Sequence, residues 1–307
     1  MQFLNDLHLH SNSNLAGQES DAPRAYSPTH MPHRSLNRTV AIPPSDAGDS
    51  LRKQLSNALV NGRASFIRCI DEMITLPLTK GLVDETRRVT KRIHAAVSSD
   101  GFTQFMLNVI RCDDEWQQQV LLESKVHENG FYKLVLCEGE EFKIRFHVWL
   151  PSELLTAEEH THDHNWWFHS KTMFGNLPYE LLSLSDDELD ELAYSYIYEK
   201  DSDGQTKGSQ AFTVHLQGRV NLRVFESGIH PAGTRYDLHE LVKHRILPPR
   251  EDTATFVMTG PRIRKTCGLY SRKLLTATKD IGPTKIDIST LHHLLDTLFQ
   301  KLDGGNV

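Results

Sequence analysis

From about residue 49 the apolar positions recur at helical spacing. Leu51, Leu55, Leu59, Phe66, Ile67, Ile70 and Ile74 follow one another at intervals that predict a helix capped by Asp49 or Ser50, interrupted at Gly62 and stopped at Pro77. A second helix is expected over 83–97, with Val83, Val89, Ile93 and Ala96 on one face and Arg87, Arg88, Lys91 and Arg92 on a solvated one. A third is expected over about 103–112 and a fourth over about 114–127, ending at Asn129-Gly130. Then the period becomes two. Phe131 to Cys137 is strand-like, Gly139 turns the chain, and Phe142, Ile144, Phe146, Val148 and Leu150 alternate with Lys143, Arg145, His147 and Trp149 up to Pro151. Short strands are expected around 160–175, 178–184, 194–199, 211–217, 220–226, 233–238, 244–247, 253–259 and 264–272, with exposed connections at Asp186–Glu191 and Asp201–Gly208. A last helix, capped by Asp287 or Ser289, carries Leu291, Leu294, Leu295, Leu298, Phe299 and Leu302.

Four segments follow. Residues 1–48 are polar, without period, and read as a disordered or loosely attached arm. Residues 49–129 form a helical segment, 130–275 a β-barrel and 276–307 a C-terminal helix. The expected class is α+β, mainly β, because many short strands punctuated by Gly and Pro suggest a sandwich or small barrel.

Composition narrows the function. The 307 residues carry 34 Lys+Arg against 40 Asp+Glu, a formal charge of −6, which argues against a phosphate-driven nucleic-acid binder. No apolar run approaches the roughly 20 residues of a spanning helix, so no membrane association is expected. The N-terminus shows no signal-peptide pattern, and a cytoplasmic protein is expected. Cys69, Cys112, Cys137 and Cys267 lie far apart and read as free, mostly buried thiols. No dinucleotide, P-loop, zincin or nucleophile-elbow motif occurs. There are, however, 17 histidines.

Four of them fall in His160-Thr161-His162-Asp163-His164-Asn165-Trp166-Trp167-Phe168-His169. On a strand, alternate residues share a face, so His162 and His164 can reach one ion, His160 lies on the same side and Asp163 points away. Neutral imidazole suits Fe, Zn, Cu, Ni or Mn. His8 and His10, in the polar arm, read as a chance pair. His160 and His169 are expected outside direct coordination, with His160 kept as an alternative ligand. His147, His215 and His230 read as packed or exposed.

These residues resemble the cupin superfamily, whose first motif is G-x5-H-x-H-x3/4-E-x6-G. With His162 and His164 as the H-x-H pair, Thr156 takes the first Gly position, Phe168 the Glu position and Gly175 the last Gly. The missing Glu makes the site similar to three-His cupins such as the thiol dioxygenases. The second motif, G-x5-P-x-G-x2-H-x3-N, is matched by Pro231-Ala232-Gly233, with Tyr236 where the His belongs. The resemblance therefore implies a third ligand just beyond, His244 in preference to His239. It also implies a double-stranded β-helix, or jelly-roll, barrel. The activity it implies is a metal-dependent oxygenase, using Fe(II) and O2 on a small polar metabolite such as an amino acid or thiol. Zn, Ni, Mn or Cu are the other candidate ions. Arg145, Arg223 and Arg235 are candidates to pair with a substrate carboxylate, Trp166 and Phe168 to wall the pocket, and Tyr236 or Tyr132 to present a hydroxyl. The rival readings are a lyase, isomerase or hydrolase in which the ion acts only as a Lewis acid, and a non-catalytic small-molecule-binding cupin. The expected partners are a small-molecule substrate and O2, and a homodimer is compatible with either reading.

Overall fold

The computed structural model describes residues 46–127, 129–154, 160–200, 212–275 and 284–303. Residues 1–45 of the expected arm, with His8 and His10, and the Asp201–Gly208 connection lie outside the described residues; the first helix begins at Asp46, so Asp49 and Ser50, expected as its caps, lie within it. Five helices come first: α1 (Asp46–Val60), α2 (Arg63–Thr79), α3 (Val83–Val97), α4 (Asp100–Arg111) and α5 (Asp114–Glu123). Gly62, at φ 92°, separates α1 from α2. The expected stop at Pro77 is not observed, and α2 continues to Thr79. A proline in the last turn forfeits a single intrahelical hydrogen bond there, and its buried ring packs in the interior. Asp113 caps α5 by accepting the Trp116 amide at 2.9 Å. That helix stops at Glu123 rather than near His127. Residues Lys125–His127 instead form a strand, β1, antiparallel to β2 (Phe131–Glu138).

Next come β3 (Lys143–Trp149), β4 (Thr161–His162), β5 (Phe168–Phe174), β6 (Asn176–Ser185), β7 (Glu191–Lys200) and β8 (Phe212–Pro231). They are followed by β9 (Arg235–Leu238), β10 (Lys243–Ile246), β11 (Thr253–Thr259), β12 (Thr266–Ser271), β13 (Thr284–Lys285) and α6 (Ile288–Asp303). The two strands expected over 211–226 are one. Gly218 interrupts the pattern at a bulge opposite Ser195 without ending the strand. Asp287 caps α6, its Oδ1 accepting the Thr290 amide at 2.7 Å.

The strands build two antiparallel sheets. The first has the order β13-β1-β2-β3-β11-β5-β9; the second, β10-β4-β12-β7-β8-β6, closes through β10–β6 pairing. Strands β3, β4 and β5 alternate between the sheets, and so do β9, β10, β11 and β12. This interleaving is the jelly-roll of a double-stranded β-helix. The expected fold, a cupin-type barrel with an N-terminal helical segment and a C-terminal helix, is the one found.

The helices cover one face of the first sheet. Leu134, Ile144, Phe146, Val148, Ala254, Phe256 and Met258 point toward them and pack with Phe66, Ile70, Ile93, Met106, Trp116, Leu294 and Leu298 in one buried core. The Trp116 indole donates to the Leu136 carbonyl at 2.7 Å, tying α5 to β2. The other face of this sheet looks into the barrel. All four cysteines are free, and Cys112 is exposed rather than buried. Among the described residues no helix is long and apolar enough to cross a membrane.

Candidate metal centre

The second sheet carries two histidines, and the segment that follows β4 a third, to one point. His162 ends β4 and lies directly opposite His244 of β10. His164 follows two residues after His162, where its amide is held by the Glu240 carbonyl at 3.1 Å. One ligand atom from each of the three lies within 4.8 Å of the others. The imidazole rings are 4.4 to 5.0 Å apart between centroids.

Local hydrogen bonds orient two of these rings. His162 Nδ1 meets the His160 carbonyl at 2.9 Å, and His244 Nδ1 meets the Val242 carbonyl at 3.1 Å. A carbonyl can only accept, so each Nδ1 carries a proton, and Nε2 is the nitrogen left to meet an ion. Burial, then His162, hold the His244 pKa well below the usual histidine value. Burial, then His162, His244, Arg145 and His147, do the same for His164. His164 and His244 are thereby held in the neutral form that a divalent transition ion takes, and with His162 they make a three-nitrogen set that fits such an ion.

Asp163 points away from the cluster. Its Oδ1 accepts from the Gly268 amide at 2.8 Å and from Arg264 Nη1 at 3.0 Å. Arg264 also donates to the His164 carbonyl, so it holds the chain at Asp163 and just past His164. Trp166 stacks on the His164 ring at 5.5 Å. Phe168, at the motif's Glu position, puts a phenyl ring 5.3 Å from His164 and 6.0 Å from His244. Gly175, at φ 74°, passes so close to Asp252 that a Cβ would lie 2.3 Å from the Asp252 carbonyl. Only glycine fits there.

Other candidates lie elsewhere. His239 is exposed, 3.2 Å from Glu240 and 3.3 Å from Arg87, and outside the cluster. His160 contributes its carbonyl to the site, and its side chain is not one of the three that converge. His169 faces the helices, with Nδ1 2.6 Å from Asp237 and Nε2 2.9 Å from Thr90. Arg223 pairs with Asp187 and Asp190 on the β6–β7 turn, and Arg235 is exposed with a bond to the Ala95 carbonyl. Neither arginine reaches the pocket, because each leaves its strand on the outer side. Tyr132 sits on the helix-facing side, next to Glu153. Tyr236 stacks on His230 at 4.3 Å and stands 6.2 Å from Phe168, one ring removed from the histidines.

Arg145 does face the barrel interior, with 5% of its surface exposed. It shares that face with Lys133, His147, Ser170, Thr172 and Thr255, which the sequence reading did not single out as a group. The alternation of β2 and β3 was legible, but which alternate residues turn toward the histidines depends on how β11 and β5 pair beside them.

No protein-family model matches this chain, and no curated protein matches it. Solved structures do. One is an RmlC-like cupin with a double-stranded β-helix fold from Methanocaldococcus jannaschii, 15% identical over 46% of this chain and 90% of that one, with a TM-score of 0.25. Another is hydroquinone 1,2-dioxygenase from Sphingomonas sp. TTNP3, 10% identical over 42% and 64% of the two chains, with a TM-score of 0.25. A third is the iron(II) form of HppE, 10% identical over 69% and 99%, with a TM-score of 0.26. Likeness of this degree carries no argument about chemistry; the fold rests on the strand order and the site on its own geometry.

Proposed function

We propose that this chain is a metal-dependent oxygenase of the three-histidine cupin kind, using Fe(II) and O2 on a small polar metabolite. The observation that carries the reading is the convergence of His162, His164 and His244, with two of the rings oriented through Nδ1 by backbone carbonyls. When bound, an iron ion supplies Lewis acidity and one-electron chemistry toward dioxygen. The chain's residues do the rest. Three neutral donors leave up to three positions of an octahedral ion for substrate and O2. Trp166 and Phe168 wall the histidines with apolar rings, and Asp163 and Arg264 hold the backbone that sets the His162–His164 spacing. Tyr236, behind Phe168, is the hydroxyl we assign to donation toward a substrate oxygen.

The test is metal stoichiometry of untagged protein across single alanine variants, with circular dichroism to establish folding. Variants His162→Ala, His164→Ala and His244→Ala should each lose most of the metal; His160→Ala, His169→Ala and His239→Ala should keep it. Full metal in both His162→Ala and His164→Ala would sink the proposal. Zn or Ni in the purified protein, with turnover that needs no oxygen, would replace the oxygenase by a Lewis-acid enzyme on the same residues.

A further inference from the structure

Beside the three histidines the barrel wall is polar, cationic and unpartnered. Cross-strand register puts Lys133, His147, Thr255 and Thr172 in one row across β2, β3, β11 and β5. Arg145, Val257 and Ser170 form the next row. Five buried atoms on this face, Arg145 Nε, His147 Nε2, Ser170 Oγ, Thr172 Oγ1 and Thr255 Oγ1, have no hydrogen-bond partner among the described residues. Buried polar atoms are ordinarily paired, and a buried charge without a counter-charge is among the costliest groups a protein holds.

The neighbouring carboxylates are committed elsewhere. Asp163 pairs with Arg264, Glu240 with Arg87, and Glu138, exposed at the end of β2, with Lys143 at 2.6 Å. Burial, with help from neighbouring cations, pushes Lys133 well below the usual lysine value, and burial takes Arg145 down to about 10. Glu138 acts on both cations in the opposite sense, but in each case burial prevails over it. The metal reading sharpens the mismatch, because three imidazoles bring no negative charge to offset a divalent ion.

We propose that this wall is an oxyanion site, and that the substrate of the centre carries a carboxylate or phosphate-like group held by Arg145 and Lys133, with the Ser170, Thr172 and Thr255 hydroxyls beside it. A guanidinium suits the two oxygens of such a group bidentately, and hydroxyls can donate to the remaining lone pairs. The inference rests on the metal-centre reading for its neighbour, but not for its own residues.

Calorimetric titration of the full-length protein with inorganic phosphate and, separately, with acetate tests it. Both the Zn-loaded and the chelator-treated protein are used, with Zn stoichiometry measured in parallel. Arg145→Met should weaken binding of the better probe by about ten- to a hundredfold, Arg145→Lys and Lys133→Met by less, and the surface control Arg223→Met not at all. Preference for phosphate or for acetate tells which kind of acidic group the wall suits. Zn stoichiometry in Arg145→Met should equal that of wild type. Phosphate should raise the melting temperature of wild type but not of Arg145→Met, and without the probe that variant should melt no lower than wild type.

Binding that ignores Arg145, or that vanishes with the metal, would overturn the oxyanion site and leave the metal centre standing. Absence of binding by wild type would do the same. Arg145-dependent binding in a protein that takes up no metal would keep the oxyanion site and remove the metal centre. If Arg145→Met does not fold, Arg145→Lys and Lys133→Met decide on the same criteria.

Discussion

The two faces of the first sheet hold the same kinds of residue and treat them oppositely. On the helix side His169 is bonded through both nitrogens, to Asp237 and Thr90, and the Lys171 ammonium donates to the Ser98 carbonyl and pairs with Asp100. His94 reaches the Phe256 carbonyl at 3.2 Å. On the barrel side His147 and Arg145 have buried nitrogens without partners. A polar group satisfied by its own chain is part of the scaffold. A set of polar groups left unsatisfied on one face, next to converging metal-type donors, is arranged for something that arrives from outside. The same pleat thus separates stability from chemistry, residue by alternate residue.

The comparison breaks most visibly in the apolar core. Phe146, fully buried on the helix side, should cost about 3–5 kcal/mol when replaced by alanine. At about 2–4 °C per kcal/mol for a domain of this size, the melting temperature should fall by roughly ten degrees. Metal bound per folded molecule should not change. Loss of metal in protein shown to be folded would mean that the two faces are not independent.

A pH series probes the same face through His94. Burial first, then His169 and Arg235, drive its pKa down to about 3, against the Phe256 carbonyl and Asp237, which favour the charged ring. Between about pH 3 and 6.5 the unfolded chain therefore binds a proton that the folded chain refuses. Stability rises with pH across this window and is lost as pH falls below about 6.5, by up to about 1.4 kcal/mol per pH unit for this group. At pH 5 the penalty is about 2 kcal/mol. Urea midpoints at pH 7 and pH 5 should be closer together in His94→Gln than in wild type; an unchanged gap would show that His94 does not carry it.

Much of this architecture was legible from periodicity. The helical spacing of Val83 to Val97 and the alternation of Phe142 to Leu150 appear as written, because each element buries one face and the residue pattern records which. His162 and His164 were legible as a pair from their spacing, but the strand expected to carry both ends at His162, and His164 is placed by its bond to the Glu240 carbonyl. What was not legible depends on long-range pairing. Lys125–His127 reads as the end of a helix until β2 and β13 flank it. Gly218 reads as a break until β7 supplies a bulge. Arg223 and Arg235 look equivalent to Arg145 along the chain, and only the closing of the barrel sends one inward and two outward.

A smaller effect distinguishes paired histidines from unpaired ones. His169→Ala removes hydrogen bonds at both nitrogens and should cost about 1–3 kcal/mol. His147→Ala leaves no nitrogen partner behind and loses only ring packing against Phe131 and Trp149, so its urea midpoint should move less. A larger shift for His147 than for His169 would reverse the assignment of the two faces.

The direct pairing of His162 with His244 sets an order of events. These residues stand about eighty positions apart, and their strands become neighbours only when β4 and β10 are zipped into the closed second sheet. Such non-local contacts form late, since the loop entropy must be overcome before they contribute. During synthesis His162 and His164 emerge well before their third partner, and a chain at that stage offers an ion only two adjacent rings. Loading should therefore follow barrel closure, and the refolding rate should be the same with and without the metal ion. Acceleration by the metal would place the His162–His244 contact at the start of folding instead.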